Sequence, residues 1–543
     1  MTDLPENFFI DPRAIKRGHG GPGFGTSYPL GLAISGGGHR AALFGLGVLM
    51  AMRDAGREPR QISSVSGGSI TNAVLARNYF AKVPHDMKGM SEDEFWQSET
   101  KALFDTVVSK GVLTKSWIRA LLLIMVLPPL LLVLFAMLGA GPPWYVTLSV
   151  LLLWLTLILL RGLLVEWLIA KRFFGDAPGN VHIENLHNDK ADEPVEHVIC
   201  CTDLITGRPL YASTRNGGHI YRIFDDYPQG VGPRTTMPWS QVKEKSNTGI
   251  EYVSHRLTVP ALVRASAGFP GIPPRRVKLS PLDSSEHQRK TKRVPPVAFL
   301  SDGGIWSNLA TQPFEDGYLW GSYGPWVVIV ADASAPLDYV STFHFHVPGL
   351  AEILALVRQA VILTMNTVAP RRLRYQDWIR RELLAPRSAR FEVERLYPVV
   401  STLESPGDVA ERLQSAVGAD WNQDFLSGSE REWREERRAV TRIRAKRLVK
   451  TMEVVANEEK LYVEKVHVDP DAAEKYKILQ ELAGGAIDPE SEDPVSFYPT
   501  TLDRVELKMA LALVRRGYAN TALTMYLTGL TDELVVPGGW LSD

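Results

Sequence analysis

Ser66 lies in the run Ser63-Ser64-Val65-Ser66-Gly67-Gly68, where a short apolar segment gives way to a helical pattern. This is the spacing of a nucleophile elbow, Gly-x-Ser-x-Gly, with Ser64 in place of the first glycine. Small neighbours matter because the serine backbone in such a turn is strained and larger side chains would strike the flanking strand or helix. Upstream, Gly36-Gly37-Gly38-His39-Arg40 follows another short apolar run, and its unencumbered backbone N–H groups suit a developing oxyanion. Far downstream, Phe299-Leu300-Ser301-Asp302-Gly303-Gly304 sets a carboxylate at the end of a third apolar run.

Each signal has a plainer alternative. Gly36-x-Gly38-x-x-Ala41 also satisfies a loose dinucleotide-binding form, but the next strand ends in Ser63-Ser64-Val65-Ser66, with no acid to hold a ribose. Asp302-Gly303 taken alone is an ordinary turn. His344, His346 and His467 follow Asp302 and would satisfy the order of a Ser-Asp-His triad, although none stands beside a strand-end glycine signature. His344-Phe345-His346 lacks the acids or cysteines of a metal site, so neither a metal nor another cofactor is expected.

The elements that must position these residues are short and alternate. Pro29–Ser35, Gln61–Val65, His197–Asp203, Pro296–Ser301 and Trp326–Ala331 read as buried strands. Ala41–Ala55 and a segment running to about Phe80 read as helices. Strand, tight glycine turn, helix, twice over, predicts an α/β fold with a parallel sheet. From about Leu350 onward the composition is helix-forming.

Gly-Gly-Gly-x-Arg, a serine elbow and a later Asp-Gly-Gly together resemble the patatin-like phospholipases. Ala265-Ser266-Ala267-Gly268-Phe269-Pro270 is similar to that family's Ala-Ser-x-Ala-x-Pro block, and Thr202–Gly207 to its central strand and turn. The resemblance covers Pro29 to about Ala335 apart from an apolar insertion. It implies a three-layer sandwich with a mainly parallel sheet and a Ser–Asp dyad without histidine. Carried onto this sequence, Ser66 is the nucleophile, Asp302 the base, and Gly36, Gly37 and Gly38 the oxyanion hole, while Arg40 orients that loop or meets a phosphate. Ser64 and Ala41 depart from the family's glycines, both to small residues. The implied reaction is acyl transfer from a lipid ester to Ser66, then hydrolysis. Transacylase or thioesterase chemistry on the same dyad, and a non-catalytic scaffold that keeps the fold, are the rivals.

The whole chain has 543 residues, 60 Lys+Arg against 61 Asp+Glu, and a net charge of −1, which argues against a protein that coats nucleic acid. A count of two cysteines excludes a disulfide-stapled secreted scaffold, and because Cys200 and Cys201 are adjacent no ordinary disulfide is expected between them, which fits a reducing compartment. The average hides an anomaly: Ala120–Leu160 is 41 residues without Asp, Glu, Lys, Arg or His, where a chain 22% charged would place about nine. Gly139–Pro143 divides it into two arms, and Pro128-Pro129 would kink the first, so a spanning hairpin and a re-entrant one are both open. A buried hairpin inside a soluble domain is the alternative. Lys110, Lys115 and Arg119 precede it, and Arg161, Lys171 and Arg172 follow, so the positive-inside rule puts the catalytic domain at the cytoplasmic side of a membrane. The start of the sequence carries no apolar signal-peptide region.

The expected organisation is residues 1–28 as a Gly-rich N-terminal arm, 29–345 as a patatin-like catalytic domain, 117–173 as an inserted transmembrane helical hairpin, and 346–543 as a helical C-terminal extension. The expected partner is membrane lipid as substrate. The basic runs Arg371–Arg390 and Arg437–Lys450 would favour an anionic lipid surface if they face it.

Overall fold

The structure is a computed structural model. It describes residues 30–82, 89–112, 127–135, 143–175, 180–186, 195–214, 218–223, 249–253, 257–268, 274–281, 296–315, 327–333, 397–403, 470–484, 502–528 and 530–542, with Met137, Ser405, Pro406, Val409, Val495 and Tyr498 between them. The N-terminal arm, residues 139–142 of the turn, both basic runs and His344, His346 and His467 lie outside the described residues.

The predicted strands are present, each within a residue or two of its expected bounds. They are β1 (Leu30–Ile34), β2 (Pro59–Val65), β3 (Glu196–Asp203), β9 (Val297–Asp302) and β10 (Val327–Asp332). Five strands pair in parallel in the order β11-β10-β1-β2-β3, β11 being Tyr397–Thr402. Beyond β3 the sheet turns antiparallel through β4 (Arg208–Ser213), β5 (His219–Ile223), β6 (Gly249–Val253) and β8 (Ser280–Pro281), and β7 (Arg275–Lys278) pairs with β9. The fold is therefore α/β with a mixed, mainly parallel central sheet and flanking helices.

Side chains alternate across the pleat. Leu30, Leu32 and Ile34 of β1 and Val327, Ile329 and Ala331 of β10 join one core with α1 (His39–Asp54), α2 (Gly68–Leu75) and α3 (Glu92–Ser109). Ala33, Val65, Val328 and Val330 join a smaller core on the other face with Leu309, Ala310 and Phe314. Both faces are covered, which is why these strands read as continuous apolar runs.

The C-terminal portion is helical, with α6 (Pro470–Gly484) and α7 (Leu507–Thr528), but it is more than an extension. Strand β11 carries the sheet past residue 345, and α7 packs along α1. A Cβ at Gly47 would lie 2.0 Å from the Val514 carbonyl oxygen, and one at Gly517 would lie 2.2 Å from that of Phe44. The two backbones touch where both side chains are missing. Arg516 holds the seam to the sheet edge by donating to the Leu403 carbonyl at 2.9 Å.

The apolar hairpin needs a correction. Among the described residues no helix is long and apolar enough to cross a membrane. The second arm is α4 (Trp144–Ile169), a helix of 26 residues, and its C-terminal part belongs to the domain. Val165, Glu166, Leu168 and Ile169 are buried, against α5 (Val259–Ser266) among others. The remaining stretch, Trp144–Leu160, is 17 residues, or about 26 Å against a hydrocarbon core of about 30 Å. Its described side chains are mostly exposed, Trp144 at 76%, and so is Met137 at 81% from the first arm. Residues 127–135 of that arm are helical, and 113–126 lie outside the described residues. Arg172, expected to flank the membrane, donates instead to the carbonyls of Gly111 (2.7 Å) and Val112 (2.9 Å), clamping the root of the hairpin.

Candidate active site

Residues 236 positions apart meet because of how β3 is shared. Its first half pairs with β2, which runs parallel to it and ends with Val65 opposite Cys200. Its second half pairs on that side with β9, which runs antiparallel and ends with Asp302 opposite Cys201. Two strands thus approach one another end to end along a third. The residue after one and the last residue of the other face each other, and the adjacent cysteines mark the seam.

At the seam Ser66 takes a left-handed backbone, φ 50°. A non-glycine residue there stores strain, as an elbow requires. Its hydroxyl donates to Asp302 Oδ2 at 3.3 Å. Helix α2 starts at once, and the approach is tight: a Cβ at Gly67 would sit 1.8 Å from the Gly38 carbonyl oxygen. The elbow and the triglycine turn are in backbone contact, so the smallness of Gly67 is a matter of space.

Asp302 is 4% exposed. Burial pushes its carboxyl up to about 7, opposed by the Gly304 N–H on Oδ1 (2.7 Å) and the Ser66 hydroxyl on Oδ2. Desolvation penalises the charged form and, here, outweighs both donors. Its backbone carbonyl accepts from Thr202 Oγ1 at 2.8 Å. The far end of β9 is held by Asp203, whose Oδ1 accepts the Phe299 N–H (3.3 Å) and whose Oδ2 pairs with fully buried Arg222 at 2.7 Å. The Thr202–Gly207 segment is therefore the fastening of the aspartate strand.

The triglycine turn divides in its roles. The Gly36 N–H donates to the Asn308 carbonyl at 2.8 Å, so it is not an oxyanion donor in this arrangement. What Gly36 supplies is space, since a Cβ there would meet Asn308 Oδ1 at 2.2 Å. Gly37 (φ 149°) and Gly38 (φ 60°) adopt backbone that favours glycine. Their N–H groups make no backbone hydrogen bond among the described residues, and they suit an oxyanion. Arg40 is buried and donates to the carbonyls of Ala333 (2.6 Å) and Tyr498. It ties the turn to the end of β10 and to the C-terminal portion, which fits the orienting alternative and not phosphate contact.

Two residues of the site went unassigned in the sequence. Asn308, four positions past Gly304, wedges between the triglycine and aspartate turns, and nothing in its local sequence marks it. Ser266 left a trace in the Ala-Ser-x-Ala-x-Pro resemblance. Its Oγ accepts from the Ser66 N–H (2.9 Å) and from Ser69 Oγ (2.9 Å), and donates to the Cys200 carbonyl (2.7 Å). One donor and two acceptor sites are all that a hydroxyl has. His39, in the triglycine motif, is buried to a value of about 4, and its Nδ1 bonds the Asp503 carbonyl at 2.6 Å. It faces away from the seam, toward the C-terminal portion. No group of His, Cys, Asp and Glu able to hold a metal is found among the described residues.

A serine on a strained elbow, opposed to a desolvated carboxylate and beside glycine amides that make no backbone hydrogen bond among the described residues, is an arrangement suited to acyl-ester chemistry. The chain belongs to the patatin-like phospholipase family: residues 32–314, more than half of its length, match that family's model. The family supports lipid acyl hydrolase activity in general. Comparison with curated proteins finds no match.

Proposed function

We propose that the protein is a serine acyl hydrolase of membrane lipid esters, with Ser66 as nucleophile and Asp302 as base. The observation that carries this reading is the Ser66–Asp302 contact at 3.3 Å with the carboxyl pushed up to about 7. A carboxylate of ordinary value near 4 is a weak base toward serine, and a group poised near neutral pH is far better matched. Asp302 takes the hydroxyl proton as Ser66 Oγ bonds to the ester carbonyl carbon. The Gly37 and Gly38 N–H groups stabilise the oxyanion. As the tetrahedral intermediate collapses, the alcohol oxygen leaves with the proton from Asp302. Water, deprotonated by Asp302, then releases the acyl chain from Ser66.

The lipid reading is supported by the apolar hairpin. A helix apolar on every side is normally buried or in lipid, yet Trp144–Leu160 is exposed along most of its described length. A protein partner would call for an apolar stripe, whereas lipid accepts all faces. Too short to cross a hydrocarbon core, the exposed arm seats in the near leaflet and holds the domain at the surface, on the cytoplasmic side if the flanking positive charge decides. Lipid-product analysis by mass spectrometry on vesicles tests this. Wild type releases fatty acid, Ser66→Ala and Asp302→Asn do not, and wild-type activity in both variants would refute the dyad.

A further inference from the structure

The root of the hairpin and the elbow share one short helix. Glu166 of α4 is buried, and its carboxylate accepts from Arg264 Nη1 at 3.2 Å and from Arg275 Nη2 at 3.3 Å. Arg264 lies on α5, two residues before Ser266, whose hydroxyl holds the Ser66 N–H and the Ser69 hydroxyl. At its other end, α5 is tied to the chain that leaves α4: the Val259 N–H donates to the Val181 carbonyl at 2.8 Å, and Thr258 bridges His182. Helix α5 is thus gripped by the hairpin root at one side and grips the strained serine at the other.

The buried ion pair needs a reason. Burying Glu166 and Arg264 together is expensive, with Arg275 partly exposed beside them, and apolar residues would pack an α4–α5 contact at no such cost. A hydrogen-bonded pair does what an apolar contact cannot: it fixes the angular and axial register of the two helices. A lipase whose exposed arm enters lipid while its nucleophile stays in the domain needs such a link.

We propose that Glu166 is a positioning residue. Through Arg264 and Ser266 it couples the seating of the hairpin in a lipid surface to the backbone geometry of Ser66, so that turnover rises when the hairpin is in lipid. This rests on the Ser66–Asp302 reading and on lipid as the hairpin's partner. The coupling touches neither substrate nor oxyanion, so it acts on kcat and leaves the KM of a small ester nearly unchanged.

The test uses the full chain and a monomeric short-chain aryl ester, with and without vesicles of ether-linked phosphatidylcholine and phosphatidylglycerol, which hold no ester to cleave. The quantity read is the ratio of kcat with vesicles to kcat without. For wild type a rise on the order of ten-fold is expected, since small misplacements of a reacting group are worth one to two decades. E166Q is expected to co-sediment with vesicles as wild type does while its ratio falls to near one. A merely structural role would lower the rate under both conditions and leave the ratio alone. Should E166Q fail to fold, E166D keeps the charge and withdraws the carboxylate by one methylene, and its ratio should fall between the two. A wild-type ratio of one, or a variant ratio equal to wild type's, overturns the coupling. Failure of the dyad itself shows separately, as ester hydrolysis surviving in S66A.

Discussion

The seam between β2 and β9 and the exposed arm of α4 are built on opposite terms. At the seam every named hydroxyl and carboxylate is paired, backbones touch where glycines leave room, and Ser66 is held against its preferred backbone. On the arm, long apolar side chains stand outward, and the hydroxyls of Ser149 and Thr156 turn back onto their own helix. The first region is a solved packing problem; the second is an apolar surface left mostly exposed among the described residues. Each alone is poorly suited to lipid chemistry, since a buried dyad needs substrate delivered and an apolar arm has no reactive group. Glu166 sits where the two meet.

The sharpest way to break the contrast is at the dyad. Ser66→Ala should lower kcat/KM for an aryl ester by about a thousand-fold or more, and Asp302→Asn by about a hundred-fold or more, read from initial rates and from fluorophosphonate labelling of Ser66. Next comes space at the seam. Gly67→Ala forces a Cβ to within 1.8 Å of the Gly38 carbonyl, and should destabilise the fold by roughly 3 kcal/mol or leave it insoluble, measured by denaturant melting.

The carboxyl of Asp302 makes the seam sensitive to pH in two opposite directions. Because its base form is needed, activity should climb with pH and be half-maximal near 7. Stability runs the other way. A carboxyl raised from 3.8 to about 7 contributes stability below pH 4, and loses it as pH rises through 7. Asp302→Asn should therefore be more stable than wild type at pH 8 by about 2–4 kcal/mol while inactive. An unchanged melting point at pH 8 would mean that the carboxyl is not desolvated.

On the arm the effects are on location. Replacing residues 127–158 by a short Gly/Ser link should abolish vesicle co-sedimentation and leave vesicle-free hydrolysis of a monomeric ester within about three-fold of wild type, since no dyad contact is lost. The smallest effect belongs to Trp144→Ala at the tip, which should weaken vesicle partitioning by about five- to thirty-fold, as one exposed aromatic is worth roughly 1–2 kcal/mol in lipid.

Much of this was legible before any coordinates. The triglycine turn, the elbow and the Asp-Gly-Gly turn are local patterns, and local sterics fix what small residues at those spacings allow. The strands were legible because burial on both faces makes them unbroken apolar runs. Strand β11 was not, since an edge strand inside a helix-forming stretch carries no periodic signal of its own. Asn308 and Glu166 were opaque for another reason: their work is done on residues far along the chain, and a lone asparagine or a glutamate at the end of an apolar helix has no local signature.

The sequence by itself determined which groups could react, and that 41 uncharged residues interrupt them. These follow from residue type and spacing, which no folding changes. Only the tertiary structure decided that the Gly36 amide is occupied while those of Gly37 and Gly38 make no backbone hydrogen bond among the described residues, and that the root of α4 belongs to the domain. It decided as well that the carboxyl of Asp302 rests near neutrality. The physical reason is common to all three: hydrogen-bond occupancy, burial and desolvation depend on what else the chain brings into the same few ångströms, and strands β2 and β9 meet because both pair with β3.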